Sequence, residues 1–212
     1  MSALGARALR RRLKRGDLVI TPILEAKQIG DISVDVRVGT VALMVRGSGL
    51  SYVDPRQYLI GERKKGQVEE KGRRQKFDRF DIPFEQPLLL QPGNLALVPT
   101  LEWFRLPRDL KGVVTARSSW AREGLSIATA TFIEPGYTGI ITLELANLGR
   151  VPIAVFPGMR VAQIAFYELT EKRLPRPKDR EFQISFEPRL GRITKGDEAF
   201  VPEPQPADRK RG

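Results

Sequence analysis

Arg117-Ser118-Ser119-Trp120-Ala121-Arg122 sets two hydroxyls between two guanidiniums. Arginine forks match phosphate oxygens, and hydroxyls beside backbone N–H groups complete an anion cradle, so the segment suits a triphosphate. A Ser-Ser pair before a short helix is also an ordinary N-cap, and on local grounds capping is the simpler reading. Glu134-Pro135-Gly136-Tyr137 has the composition of a tight turn. It sets a carboxylate near an aromatic ring, as beside a sugar; structurally it reads as the loop of a plain β-hairpin. In the strand that follows, Ile140, Thr142 and Glu144 share one face and Ile141, Leu143 and Leu145 the other. A lone Glu on a strand's polar face is ordinarily solvated. Finally, Pro157-Gly158-Met159-Arg160-Val161-Ala162-Gln163 is a turn entering a strand with one amide side chain in it.

These residues need a frame, and the surrounding sequence describes one. Leu4, Ala8, Leu9 and Leu13 form an apolar stripe at helical spacing, which predicts a short N-terminal helix over 3–15, closed by Gly16-Asp17. Beyond it come short apolar runs at 32–38, 41–45, 88–90, 95–98, 113–116, 140–145, 153–156 and 161–166, punctuated by Gly, Pro and Asn. Ile32, Val34, Val36 and Val38 alternate with Ser33, Asp35 and Arg37, the period of a half-buried strand. Many short strands at such spacing predict a mainly β sandwich or barrel. No internal repeat divides it. Residues 1–170 read as one domain, and 171–212 as a charged, Pro-rich C-terminal segment, a candidate lid whose last residues are disordered.

Composition removes several mechanisms. The 212 residues include no Cys and no His. Disulfides, thiolate nucleophiles, Ser-His-Asp triads and His/Cys zinc sites are therefore excluded. Proton transfer falls to Asp, Glu, Lys, Tyr or held water. No apolar run approaches the roughly 20 residues that span a bilayer, and the expectation is a soluble cytoplasmic protein without a membrane partner. A net charge of +11 favours an anionic ligand. The cations cluster at Arg7, Arg10, Arg11, Arg12, Lys14 and Arg15, and again at Lys64, Lys65, Lys71, Arg73, Arg74 and Lys76. Neither cluster carries interleaved aromatics for base stacking, so both read as solvated surface rather than a nucleic-acid face.

Taken together and in order, these four segments resemble the dCTP deaminase and dUTPase superfamily, most closely its dCTP deaminase branch. Ser33-Val34-Asp35-Val36-Arg37-Val38-Gly39 and Leu106-Pro107-Arg108-Asp109-Leu110-Lys111-Gly112 extend the likeness upstream. The resemblance implies a distorted jelly-roll β-barrel of the dUTPase-like type, assembled as a homotrimer with active sites shared between subunits. It implies hydrolytic deamination of dCTP, with Glu144 as general base and acid and with Ser118 and Arg122 positioning the water. Arg117, Ser118, Ser119 and Arg122 would contact phosphates. Gln163, Thr142 and Leu143 would line the nucleotide site, with Glu134 and Tyr137 beside the deoxyribose. Mg²⁺ would enter bound to the triphosphate, with no metal held by the protein alone. A single carboxylate of raised pKa can shuttle both protons of such a reaction. The absence of His and Cys excludes the zinc-deaminase route.

The sequence departs from the family pattern in three places, one of them the stretch before Ala130, which is one residue shorter than in the family's bacterial deaminases. Glu134 stands where the family has Asp, which moves the carboxylate by about 1.5 Å. Ser185-Phe186-Glu187-Pro188-Arg189-Leu190-Gly191 stands in place of the family's Lys-Tyr-x-x-Gln closing segment. Two alternatives remain open at this stage: a dUTPase or bifunctional enzyme acting on dUTP, and a catalytically inactive pyrimidine deoxynucleotide-binding regulator of the same fold.

Overall fold

The computed structural model describes residues 2–45, 77–127, 131–170 and Pro188. The second basic cluster, and the C-terminal segment except Pro188, lie outside these described residues. The described residues all fall in one compact unit.

In chain order the elements are β1 (Ser2–Ala3), α1 (Ala6–Arg15), β2 (Val19–Thr21), a 3-10 turn (Ala26–Gln28), β3 (Val34–Arg37), β4 (Val41–Val45), β5 (Phe77–Asp81) and β6 (Leu88–Leu90). There follow β7 (Leu95–Arg105), β8 (Leu110–Ala116), the short helix α2 (Ser118–Arg122), β9 (Leu125–Ile127), β10 (Phe132–Ile133), β11 (Thr138–Asn147), β12 (Ile153–Val155) and β13 (Arg160–Glu168). Every pairing is antiparallel. One sheet runs β1-β13-β8-β10, with β3 also on β13; the other runs β5-β4-β7-β11-β9, with β2 on β7; β12 and β6 form a small pair. The fold is mainly β and jelly-roll-like.

One core lies between the two larger sheets. Val34, Val36, Val114, Ile164 and Phe166 come from the first, and Ala42, Ala96, Val98, Phe104, Leu143 and Leu145 from the second. Each of the Val, Leu, Ile and Phe side chains among them contributes roughly 1.5–3 kcal/mol on leaving water. Because strand side chains alternate, the intervening residues must face outward. Asp35, Thr115 and Gln163, aligned across β3, β13 and β8, belong to the outer face of the first sheet. Thr142 and Glu144 belong to the outer face of the second.

Four strands, β7, β8, β11 and β13, are longer than their apolar runs. β7 continues from Val98 to Arg105 through Thr100 and Glu102, whose polarity hides the strand in sequence. The Thr100 hydroxyl donates to the Glu102 carbonyl at 2.7 Å and accepts from the Ile141 N–H at 3.0 Å, filling the register shift between Ile140 and Thr142. Glu102 itself is fully buried. Its carboxylate accepts from Gln28 Nε2 at 2.8 Å and from the Arg37 backbone N–H at 2.9 Å, and Gln28 also donates to the Asp35 carbonyl at 3.0 Å. These two side chains therefore satisfy backbone groups of β3 that β13 does not pair.

The helix begins at Ala6, later than its apolar stripe suggests, because Ser2 and Ala3 pair with Glu168 and Tyr167. Leu9 is buried, and Gly16 closes the helix in a left-handed conformation (φ 73°). Its basic face is not wholly solvated. Arg12 is only 14% exposed and reaches Asp17 at 3.1 Å, Asp109 at 2.7 Å and Glu168 at 2.8 Å.

Candidate active site

α2 carries the chain from β8 in one sheet to β9 in the other. Its N-cap is Arg117, extended at φ −70°, ψ 135° and without a side-chain cap. Ser118 and Ser119 are helical residues with exposed side chains, so the capping reading of the Ser-Ser pair does not hold. Trp120 anchors the helix by packing against the core and donating from Nε1 to the Arg160 carbonyl at 3.0 Å. Arg122 lies exposed in the last turn.

Arg117 folds back toward β3. Its guanidinium lies 3.3 Å from Asp35 Oδ2, and Arg160 reaches the same oxygen at 3.3 Å. Gln163, beside Asp35 in register, accepts from the Ser33 hydroxyl at 3.3 Å through Oε1. Its Nε2 is thereby turned to donate. Arg117 thus meets Asp35 beside Gln163, and Ser118, Ser119 and Arg122 follow it in sequence as exposed residues of α2.

Glu134-Pro135-Gly136-Tyr137 is a tight turn with Gly136 at φ 72°, as a type II turn requires at its third position. The Tyr137 N–H donates to the Glu134 carbonyl at 3.1 Å, and the Gly136 N–H donates to the Pro107 carbonyl at 3.0 Å. It is not the loop of a hairpin. β10 pairs with β8 and β11 with β7 and β9, so the turn passes the chain between sheets. Glu134 is exposed, and Tyr137 is half-buried with its hydroxyl donating to the Ile140 carbonyl.

Beyond the turn, β11 presents Thr142 and Glu144 outward, both half-buried. No hydrogen bond or ion pair reaches the Glu144 carboxylate from the described residues, and burial holds its carboxyl above the usual glutamate range. Opposite it on β7 is Leu97, itself buried but outside the core. An unpaired, partly dehydrated carboxylate is poised to accept and return a proton. Leu143 is 0% exposed and faces the core, so what it offers a ligand is its backbone rather than its side chain.

The sequence-derived site thus falls into two groups. The structure brings Arg117 and Gln163 beside Asp35 on the first sheet, with Ser118, Ser119 and Arg122 exposed on the adjoining α2, and sets Thr142 and Glu144 on β11 of the other sheet, with Tyr137 just before it. Asp35 and Arg160 were not singled out as site residues by sequence reasoning. Both stand inside the segments that carried the resemblance, and only the fold reveals their shared contact.

A donor-rich anion cluster and a dehydrated carboxylate on a two-sheet jelly-roll scaffold define a class of β proteins that handle phosphorylated small molecules without a histidine or thiolate. The chain belongs to the dCTP deaminase-like family, whose model matches residues 3–169. It is 40% identical over 169 residues to "dCTP deaminase, dUMP-forming" of Dictyoglomus thermophilum, covering 79% of this chain and 80% of that one. It is 37% identical over 161 residues to the dCTP deaminase of Thermomicrobium roseum, covering 74% and 75%. Among solved structures, 2'-deoxycytidine 5'-triphosphate deaminase from Agrobacterium tumefaciens superposes with a TM-score of 0.56 at 26% identity, covering 77% of this chain and 47% of that one.

Proposed function

We propose that the protein is a dCTP deaminase, converting dCTP and water to dUTP and ammonia. The observation that carries this reading is the half-buried, unpaired carboxylate of Glu144 with its raised pKa. Glu144 takes a proton from water as the oxygen adds to cytosine C4, and the ring gains a tetrahedral carbon bearing hydroxyl and amine. The same carboxyl then returns the proton to the amine. Ammonia leaves as the C4–N bond breaks and the electron pair on N3 re-forms the C4–N3 double bond; transfer of the hydroxyl proton to N3 then leaves the C4 carbonyl and N3–H of uracil. Ser118 and Arg122 position the water. Arg117, Ser118, Ser119, Arg122 and Gln163 bind the triphosphate, whose oxygens match their donors. Tyr137, Glu134, Thr142 and the Leu143 backbone border the deoxyribose and base.

The two groups face outward from different sheets, which supports an active site shared between copies of the chain in a homotrimer. Among the described residues no three carboxylates converge on a metal position. Their donor set suits a polyphosphate instead, and Mg²⁺ in this reading arrives on the nucleotide, where it screens phosphate charge. No helix among the described residues is long and apolar enough to cross a membrane; the reading sets the enzyme in the cytoplasm beside its nucleotide substrate.

A second product is favoured by one observation, the "dUMP-forming" relative at 40% identity. Such an enzyme would also release pyrophosphate. The longer Glu134 argues for release of dUTP, because a carboxylate moved by about a methylene misplaces a second attacking water. Incubating the protein with dCTP or dUTP and Mg²⁺, and assaying ammonia and pyrophosphate separately, tests both. Ammonia without pyrophosphate from dCTP is expected. Equal amounts establish the dUMP-forming route, and neither product sinks the deaminase reading.

A further inference from the structure

We propose that Asp35 is a positioning residue that holds Arg117 and Arg160 as a paired guanidinium cradle, and that Arg160 is a further polyphosphate-binding residue beside Arg117. This deepens the reading above, on which it rests for the nature of the ligand. One carboxylate oxygen, Asp35 Oδ2, meets both guanidiniums at 3.3 Å. Two guanidiniums that close repel one another unless a negative charge lies between them. Asp35 supplies it from beneath: its side chain is 14% exposed, against 31% for Arg117 and 28% for Arg160. Each arginine spends one NH1 on Asp35 and keeps further donors for a ligand.

The neighbouring acceptors are consumed in the same way. Gln163 Oε1 takes the Ser33 hydroxyl, which leaves its Nε2 as donor, and the Arg160 carbonyl takes the Trp120 indole N–H. The side chains of Arg117, Arg160 and Gln163 therefore present donors together. The strand under Asp35 is also fixed. Its edge is satisfied by the buried side chains of Gln28 and Glu102, and its other edge pairs with β13. A polyanion with several oxygens fits this arrangement better than a single carboxylate does, because one fork cannot serve three donor groups.

Charge and position make opposite predictions at Asp35. Removing its negative charge raises the local positive potential, which by itself tightens anion binding. Losing the clamp lets the two guanidiniums separate, which weakens it. We expect position to prevail. In Asp35→Asn, binding of inorganic tripolyphosphate measured by titration calorimetry should weaken by about tenfold, the scale of one lost hydrogen bond to a charged group. The KM for dCTP should rise in parallel while kcat stays within about threefold, since the reacting carbon is untouched.

Arg160→Gln leaves the Asp35–Arg117 pair intact and serves if Asp35→Asn does not fold. Its tripolyphosphate affinity should fall several-fold at an unchanged melting temperature. Unchanged or tighter binding in a folded Asp35→Asn, or unchanged binding in Arg160→Gln, overturns the cradle. The wild-type protein separates this result from the reading it rests on. Turnover of dCTP with both variants binding normally sinks the cradle alone. No turnover, with both variants weakened for tripolyphosphate, sinks the deaminase and leaves the cradle standing.

Discussion

Glu144 and Gln163 face away from each other across one protomer. Glu144 stands opposite Leu97 on the outer face of the β5-β4-β7-β11-β9 sheet, and Gln163 stands opposite Thr115 on the outer face of the β1-β13-β8-β10 sheet. The core that both strands bury lies between them. On the proposed reading, one nucleotide touches both because a second copy brings its own face to the site, and this relationship has a direct consequence for mixed assemblies.

Glu144→Gln and Arg117→Ala should each be inactive alone, yet recover activity when unfolded together and reassembled. With one group drawn from each of two neighbouring subunits, random mixing leaves about one site in four with both residues intact. Ammonia release near a quarter of the wild-type rate is the expected result. Persistent inactivity of the mixture, with mixed assemblies demonstrated by tagged subunits, would place both groups in one protomer's site and refute the split.

For Glu144→Gln by itself, turnover should fall by about 10²-fold or more while dCTP still binds. The pH dependence follows from the burial that lifts the Glu144 carboxyl above its ordinary value of 4.5. As a base it must be ionised, so the acidic limb of kcat/KM should lie above that value. The stability effect has the opposite sense to a salt-bridged carboxylate. The folded state holds its proton to higher pH than the unfolded chain, so stability is lost as pH rises from about 4.5 through the raised value. Thermal melts should show Glu144→Gln at least as stable as wild type at pH 8, with the gap closing near pH 4. A variant less stable than wild type at pH 8 contradicts the desolvation argument.

Glu102 offers a test of the strand beneath the anion cluster. Burial raises its carboxyl pKa most strongly, while hydrogen bonds from Arg37 and Gln28 oppose the rise. Glu102→Ala removes the acceptor for the Arg37 N–H and one acceptor for Gln28, at about 1–3 kcal/mol for each buried group left unmatched. Urea denaturation should therefore show a loss of roughly 2–6 kcal/mol. Glu102→Gln keeps an oxygen for Arg37 and should lose distinctly less. Equal losses would mean that volume, not hydrogen bonding, is what the position supplies.

Much of this was legible in the sequence, for physical reasons that differ by element. The runs at 41–45 and 88–90 coincide with β4 and β6 because nothing polar interrupts them. β11 was readable by its alternation, and the structure buries Ile141, Leu143 and Leu145 together as that period requires. β7 was cut short because Thr100 and Glu102 look like surface residues and are instead buried against backbone groups distant in sequence. The turn at 134–137 has hairpin composition, and composition does not say which strand each arm pairs with. Ser118 and Ser119 likewise satisfy the local rule for a cap; their true place follows from Trp120 reaching Arg160, 40 positions away. Asp35, between two arginines distant in sequence, was invisible until β3 met β13.

Gly124 follows the end of α2, two residues beyond Arg122, and it can be tested against a glycine of similar conformation. Its φ is +91°, and a Cβ there would lie 2.6 Å from the Gly149 nitrogen and 2.8 Å from its Cα. Both are backbone atoms, so no side chain can swing aside, and the Gly124 carbonyl is also held by the Leu148 N–H at 2.9 Å. Gly93 has φ +75° with nothing within 4 Å of its would-be Cβ. Gly93→Ala should therefore cost only the left-handed strain, about 1–2 kcal/mol. Gly124→Ala bears comparable strain and adds a collision relieved only by parting the α2–β9 connection from the loop at 148–149. Its stability loss should exceed that of Gly93→Ala by more than about 1 kcal/mol, the scale on which overpacking acts. Because the movement falls two residues from Arg122, the KM for dCTP should rise in Gly124→Ala and stay unchanged in Gly93→Ala. Equal melting temperatures for the two variants would show that the loop yields freely, and that the close approach of Gly124 to Gly149 does not hold α2 in place.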